Sequence, residues 1–221
     1  MSDLPTPPEL KTLPADAFVS RESVGKLLVV LHGRGDSSAG FHWMPDAFQL
    51  PGLDYLMVNA PDDWYGGFSW YDLPPKQEPG VLRSRALLDG VFGEVFAAGY
   101  DAGDVALFGF SQGCLMTLEW GLRSTHQLAG YVGVSGYCLD PAALLAERHA
   151  DHDPSRWLVT HGRQDGVCPY ATSRDQMAAL ADGGFPLRFE SYDKDHTIDP
   201  ADELPLLRSF VAERLGLTGP G

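Results

Sequence analysis

Short apolar runs recur along the chain at 27–31, 55–58, 105–110, 130–134, 157–160 and 187–192, each four to six residues long, and their length and content predict strands. Between them, 82–96, 115–122, 142–146, 171–180 and 204–215 place apolar residues near helical spacing and predict helices. Strands alternating with helices predict an α/β domain built on a mainly parallel central sheet with helices on both faces. The last helix carries start and stop signals: Asp199 as cap, Pro200 at the first helical position and Gly216 after the end. Residues 1–24, with Pro5, Pro7, Pro8 and Pro14, cannot form a regular helix and read as an irregular surface leader, so the ordered core is expected to begin near Gly25. No internal repeat, linker or low-complexity block interrupts the chain, which reads as a single domain over 1–221. The one break in regularity is 61–80, rich in Pro, Gly and aromatics. It is long for a connection and is a candidate functional loop, with a mobile loop as the competing reading.

Composition narrows the function classes. With 44% hydrophobic residues in 221, the chain can bury a substantial core. A formal charge of -14 disfavours nucleic acid and anionic membrane surfaces, which would repel it at long range. The start of the chain lacks the charged region and apolar run of a signal peptide, and no later run is long enough to span a bilayer, so a cytoplasmic protein without stable membrane insertion is expected. Cys114, Cys138 and Cys168 are odd in number and far apart, which suits reduced thiols better than a disulfide frame or a zinc site.

Candidate chemistry begins at Gly109-Phe110-Ser111-Gln112-Gly113, a G-x-S-x-G pattern lying between a predicted strand and a predicted helix. That setting is what a nucleophile elbow requires: a sharp turn lifts the serine hydroxyl clear of the sheet, and the glycines let strand and helix approach. About 0.2 such patterns arise by chance in a chain this rich in glycine, so the pattern needs its context. A serine hydroxyl near neutral pH needs a histidine base, and that base needs a carboxylate to fix its tautomer. Asp165 follows the strand-like run ending at Thr160, and His196 follows the run ending at Tyr192, so Ser111, Asp165 and His196 are expected to converge on the C-terminal rim of the sheet. The oxyanion formed by attack on a carbonyl needs donors, and the backbone N–H of Gln112 and of Arg34, in the loop after the first strong strand, are the candidates.

Taken together, Leu31-His32-Gly33-Arg34-Gly35-Asp36, Asn59-Ala60-Pro61, Ser69-Trp70-Tyr71-Asp72, the Ser111 pentapeptide, His161-Gly162 with Asp165, and His196 resemble the phospholipase/carboxylesterase family of α/β-hydrolases, which includes the acyl-protein thioesterases. The resemblance runs from about 26 to 215. It implies an α/β-hydrolase fold with little or no cap domain, a triad of Ser111, Asp165 and His196, oxyanion donors at Arg34 and Gln112, and no metal or organic cofactor. The implied activity is hydrolysis of carboxylic esters through an acyl-enzyme, the substrate being a small-molecule or acyl ester. The alternatives are a thioesterase or lysophospholipase acting on long acyl chains and, from another class, a ligand-binding protein on a hydrolase fold. Two positions depart from the family pattern: Arg34 stands where an apolar residue is usual, and Cys114 where a small one is.

Other residues carry weaker signals. Trp64, Phe68, Trp70 and Tyr71, with Tyr65, crowd the 61–80 loop, and either line an apolar slot for the acyl group or pin the loop to the body. The Arg34 guanidinium is suited to an anionic substrate. His149, Asp151, His152 and Asp153 match metal ligands in type, but their polar setting reads as a solvated turn. His32 and His161 read as structural hydrogen-bonding groups, Cys114 as packed and Cys168 as partly exposed. Arg34-Gly35-Asp36 is an adhesion-type tripeptide with nothing extracellular beside it.

Overall fold

In the computed structural model, which describes residues 4–219, the elements follow in the order β1 (Ala15–Phe18), β2 (Lys26–Leu31), α1 (Met44–Phe48), β3 (Leu53–Val58), β4 (Asp62–Trp64), β5 (Gly67–Ser69), α2 (Gln77–Ala97), β6 (Val105–Phe110), α3 (Gln112–Gly121), β7 (Gly130–Val134), α4 (Pro141–Glu147), β8 (Trp157–Gly162), α5 (Tyr170–Asp182), β9 (Arg188–Tyr192) and α6 (Glu203–Leu215). Seven strands form one sheet in the order β1-β3-β2-β6-β7-β8-β9, parallel throughout except for β1. Each predicted strand and helix is present, and the apolar runs are near-continuous because a parallel sheet is covered on both faces. Along β2, Leu27, Val29 and Leu31 point into a core shared with α2, α3 and α5, while Leu28 and Val30 face α1 and α6.

Two boundary expectations are corrected. The segment read as an irregular leader contributes a strand: β1 pairs antiparallel with β3, Ala15 opposite Val58, and Leu13 before it is buried. The prolines exclude helix up to Pro14 but leave the next four residues free to pair, and only the distant partner β3 makes that short stretch a strand. The final helix begins at Glu203, not at Pro200. Asp199 instead caps a separate turn, its Oδ1 accepting from the N–H groups of Ala201 (3.1 Å) and Asp202 (2.7 Å). Gly216 does end the helix, in the left-handed conformation with φ 66°.

The 61–80 segment is not a structureless loop. β4 and β5 form a two-stranded hairpin around a turn at Tyr65 and Gly66, and α2 begins at Gln77. The chain leaves β2 toward β3 on one side, and β6 flanks β2 on the other, so the connections after β2 and β6 diverge and open a crevice at the strands' C-terminal ends.

Candidate active site

Ser111 occupies the single residue between β6 and α3, with φ 55° and ψ -112°. Side chains rarely adopt that conformation, and it is held here because the turn must reverse the chain at once. Its N–H donates to the Val134 carbonyl at 2.8 Å, tying the turn to the neighbouring strand. The flanking glycines are set by close approach: a Cβ on Gly109 would collide with the Gly113 carbonyl, and one on Gly113 with the Leu31 carbonyl. Strand β6, helix α3 and strand β2 are packed backbone to backbone, and the serine is pushed outward.

Asp165 follows β8 and His196 follows β9, and both reach the elbow. His196 Nε2 lies 3.0 Å from Ser111 Oγ, and His196 Nδ1 lies 2.7 Å from Asp165 Oδ2. The Asp165 carboxylate is fully buried, and its Oδ1 accepts from the Val167 N–H (2.9 Å) and the Cys168 N–H (2.8 Å), so both oxygens have partners and the group keeps one orientation. A carboxylate held there takes the Nδ1 proton of His196 as a hydrogen bond and leaves Nε2 free to accept from the serine. His161 stands nearby, with Nε2 3.4 Å from Asp165 Oδ2, but that nitrogen is 2.8 Å from the Cys168 carbonyl and donates to it. Burial pushes the His161 pKa down, which keeps the ring neutral and structural.

The two candidate oxyanion donors follow neighbouring strands, Arg34 after β2 and Gln112 after β6, and a Cβ added to Gly33 in the Arg34 loop would touch Ser111. Gln112 is the first residue of α3, where an N–H has no intrahelical acceptor and the helix dipole favours negative charge. The Arg34 N–H, in the loop after β2, donates to no other described residue. The hairpin segment holds both. Gly35 N–H donates to Phe68 O and Phe68 N–H to Asp36 O, each at 2.8 Å, so β5 is paired with the Arg34 loop. The buried Gln112 side chain accepts from Trp70 N–H (2.9 Å) and donates to Tyr71 O (2.7 Å), while Trp70 Nε1–H donates to His32 O at 2.9 Å. His32 is itself fixed, its Nδ1 2.6 Å from Gly33 O and its Nε2 accepting from Ala60 N–H at 3.0 Å.

This network corrects part of the aromatic reading. Trp70 and Tyr71 are fully buried in the core and present no face to a ligand. Each is drawn inward because its backbone is needed to hold Gln112, and a large ring on such a segment packs below it. Trp64 and Phe68 remain partly exposed, and the Arg34 guanidinium sits 3.8 Å from the centre of the Trp64 ring, a cation–π contact. An apolar cleft of about 420 Å³ lies beside His196, lined chiefly by Phe41, Trp43, Phe110, Ile198 and Leu204. None of these was singled out from sequence. Phe110 inside the elbow pattern and Ile198 two residues after His196 were the available signals, and the pair Phe41 and Trp43 lies just beyond the Arg34 loop.

Cys114 is buried against Gly133 and Gly136, two positions where an added Cβ would strike it; those glycines make room for a residue larger than the usual small one. Burial raises its thiol pKa, so it is no competing nucleophile. Cys168 is partly exposed, its thiol pushed up to about 11 by burial and by the nearby Asp165. Asp151 is exposed and His149 half-buried, but His152 is not part of a solvated turn: it is buried beside Tyr131 and Trp157, with Nε2 3.0 Å from the Ser124 carbonyl. Among the described residues no cluster of three or more His, Cys, Asp or Glu side chains forms a metal site, and no helix is long and apolar enough to cross a membrane.

A profile described as phospholipase/carboxylesterase matches residues 17–213. Acyl-protein thioesterase 1 of Schizosaccharomyces pombe is 31% identical over 163 residues, covering 66% of this chain and 71% of that protein. The protein of the same description from Yarrowia lipolytica is 28% identical over 171 residues, covering 70% and 75%. Among solved structures, esterase PE8 superposes with a TM-score of 0.78 at 29% identity, covering 92% of this chain and 99% of that one. Arabidopsis thaliana SOBER1 superposes with a TM-score of 0.77 at 23% identity, covering 86% and 99%.

Proposed function

The chain belongs to the phospholipase/carboxylesterase family of α/β-hydrolases, and on that premise we propose that it hydrolyses carboxylic esters through an acyl-enzyme on Ser111. The observation that carries this reading is the unbroken chain from Ser111 Oγ to His196 Nε2 (3.0 Å) and from His196 Nδ1 to Asp165 Oδ2 (2.7 Å). His196 takes the serine proton as Oγ attacks the ester carbonyl carbon, and the carbonyl electron pair moves to oxygen, where the Arg34 and Gln112 amides receive it. The tetrahedral centre collapses, the C–O bond to the alcohol breaks, and the alkoxide leaves with the proton from His196. Water then gives its proton to His196 and attacks the acyl carbon; Ser111 regains a proton as the acid departs. Each step uses His196 as the only proton carrier, and Asp165 stabilises the imidazolium without being protonated itself. The apolar cleft beside His196 supports binding of the acyl part of the ester.

A long-chain acyl thioester or lysophospholipid is the second reading, favoured by the two fungal relatives described as acyl-protein thioesterase 1. Hydrolysis of p-nitrophenyl esters from acetate to palmitate, wild type against Ser111→Ala, tests both. The expected result is activity that vanishes in the variant, with the chain-length optimum choosing between a short-ester esterase and a long-chain deacylase. A folded wild type that neither turns over any ester nor labels with a fluorophosphonate would favour a binding protein instead. No nucleic-acid partner is proposed, in line with the charge of -14.

A further inference from the structure

The loop that carries His196 is anchored by a charge pair that the chemistry above does not use. Lys194, two residues before His196, has a side chain 3% exposed, and its partner Glu203, the first residue of α6, has one 0% exposed. Lys194 Nζ donates to Glu203 Oε1 at 2.8 Å, to the Thr197 carbonyl, and to Ser135 Oγ at 3.3 Å. Its three protons thus reach three separate pieces of the molecule: α6, the residue directly after His196, and the residue directly after β7. Glu203 is equally engaged, its Oε2 accepting from Asp199 N–H at 2.8 Å. The peptide of Lys194 is also held, since its carbonyl accepts from Gln164 N–H at 3.1 Å, one residue before Asp165. A buried ion pair is expensive to form, and an apolar pair of equal volume generally serves stability as well or better. What an apolar pair cannot do is grip a chosen carbonyl beside the base.

We infer that Lys194, clamped by Glu203, is a positioning residue that fixes the imidazole of His196 between Ser111 and Asp165. The inference rests on the reading of Ser111, Asp165 and His196 as a triad. The ammonium grips the peptide on the far side of His196 while the chain carbonyl at 194 is tied to the loop of Asp165, so the ring is bracketed from both directions and both members of the His–Asp hydrogen bond share one support. Such bracketing acts on the rate of proton transfer, because a small displacement of a base is felt in the chemical step; Thr197 also borders the apolar cleft, so KM reports whether the cleft has shifted as well.

The test is the double variant Lys194→Met/Glu203→Gln, which removes the charges together, conserves volume, and keeps an amide oxygen for the Asp199 N–H. Folding is checked by circular dichroism and thermal unfolding, and kinetics with p-nitrophenyl butyrate are compared with wild type and Ser111→Ala. The expected result is a folded protein whose kcat falls about 10- to 100-fold with KM within about twofold of wild type. The low-field proton resonance of the His196 Nδ1–H bond to Asp165 should broaden or vanish with it. A folded double variant with wild-type kcat and an unchanged resonance overturns the inference. Should the double variant fail to fold, Glu203→Gln alone decides: a kcat lowered threefold or more at constant KM supports the role, and an unchanged kcat refutes it. If instead the wild type shows no hydrolysis that depends on Ser111, the triad reading falls and this inference with it, which separates that failure from a failure of the clamp.

Discussion

Replacing Gln112 by Met tests whether the oxyanion site is built by the hairpin segment. The substitution keeps length and volume and leaves the Gln112 backbone N–H in place, so no group that would touch the substrate is removed. It deletes the acceptor for Trp70 N–H at 2.9 Å and the donor to Tyr71 O at 2.7 Å in a buried setting. Tyr71 O keeps a neighbour, Ser69 Oγ at 2.9 Å, but Trp70 N–H is left without a partner. One orphaned buried N–H costs about 1–3 kcal/mol and one lost hydrogen bond about 1 kcal/mol, giving about 2–4 kcal/mol in all. For a chain of this size each kcal/mol lowers Tm by about 2–4 °C, so a fall of about 5–15 °C is expected in thermal unfolding followed by circular dichroism. Loss of a whole oxyanion donor costs about 10²–10³ in kcat, and a donor that is loosened but present should cost about 10- to 100-fold. KM for p-nitrophenyl acetate should hold steady. A folded Gln112→Met protein with kcat within about twofold of wild type and Tm within about 2 °C would refute the coupling of hairpin to oxyanion site.

Asp165→Asn should lower kcat by about 10³- to 10⁴-fold: its oxygen still accepts from Val167 and Cys168, so its NH₂ faces His196 Nδ1 and forces the proton onto Nε2, the wrong tautomer for a base; steady-state kinetics decide, and a loss under about tenfold would count against the triad. His32, His152 and His161 are all held neutral by burial, with pKa values below the ordinary 6.5. The unfolded chain therefore binds more protons as pH falls, and their contribution to stability, complete above about pH 6.5, is lost below it. Urea unfolding midpoints should drop between pH 7.5 and 5.5, and a flat or rising midpoint would contradict this. Ile198→Trp should fill the cleft beside His196 and move the chain-length optimum of p-nitrophenyl esters toward acetate, whereas an unchanged profile would place the acyl group elsewhere.

Wherever a feature rests on contacts close along the chain, it was legible. The six parallel strands announce themselves by apolar runs, and Ser111, Asp165 and His196 each follow one of those runs, so a shared rim could be inferred from order alone. β1 was missed because Ala15-Asp16-Ala17-Phe18 has no pattern of its own and becomes a strand only against β3. Trp70 and Tyr71 were read as ambiguous between lining and packing, and that choice depends on Gln112, some forty positions away, whose side chain claims their backbone. The cleft was invisible for a related reason: Phe41, Phe110, Ile198 and Leu204 come from three separate parts of the chain and meet only in the fold. At the start of α6, Asp199 and Pro200 do form a capped turn, but the helix proper starts only at Glu203, whose buried carboxylate pairs with Lys194 from a segment nine residues earlier.

The β4–β5 hairpin divides into a base and a tip with opposite tolerances. At the base, Phe68 and Trp70 are stitched to the loops of Arg34 and Gln112. At the tip, Tyr65 is 95% exposed with φ 43°, and a Cβ on Gly66 would meet nothing. Position 65 can therefore be exchanged without disturbing the stitching, and Tyr65→Asn should even relieve a backbone better suited to Asn, whereas Gly66, at φ 92°, is held to glycine by its backbone. The hairpin is in effect a socket wired into the reaction centre with an interchangeable plug facing outward, and position 65 is where a label or a new surface group can be carried at little cost to turnover.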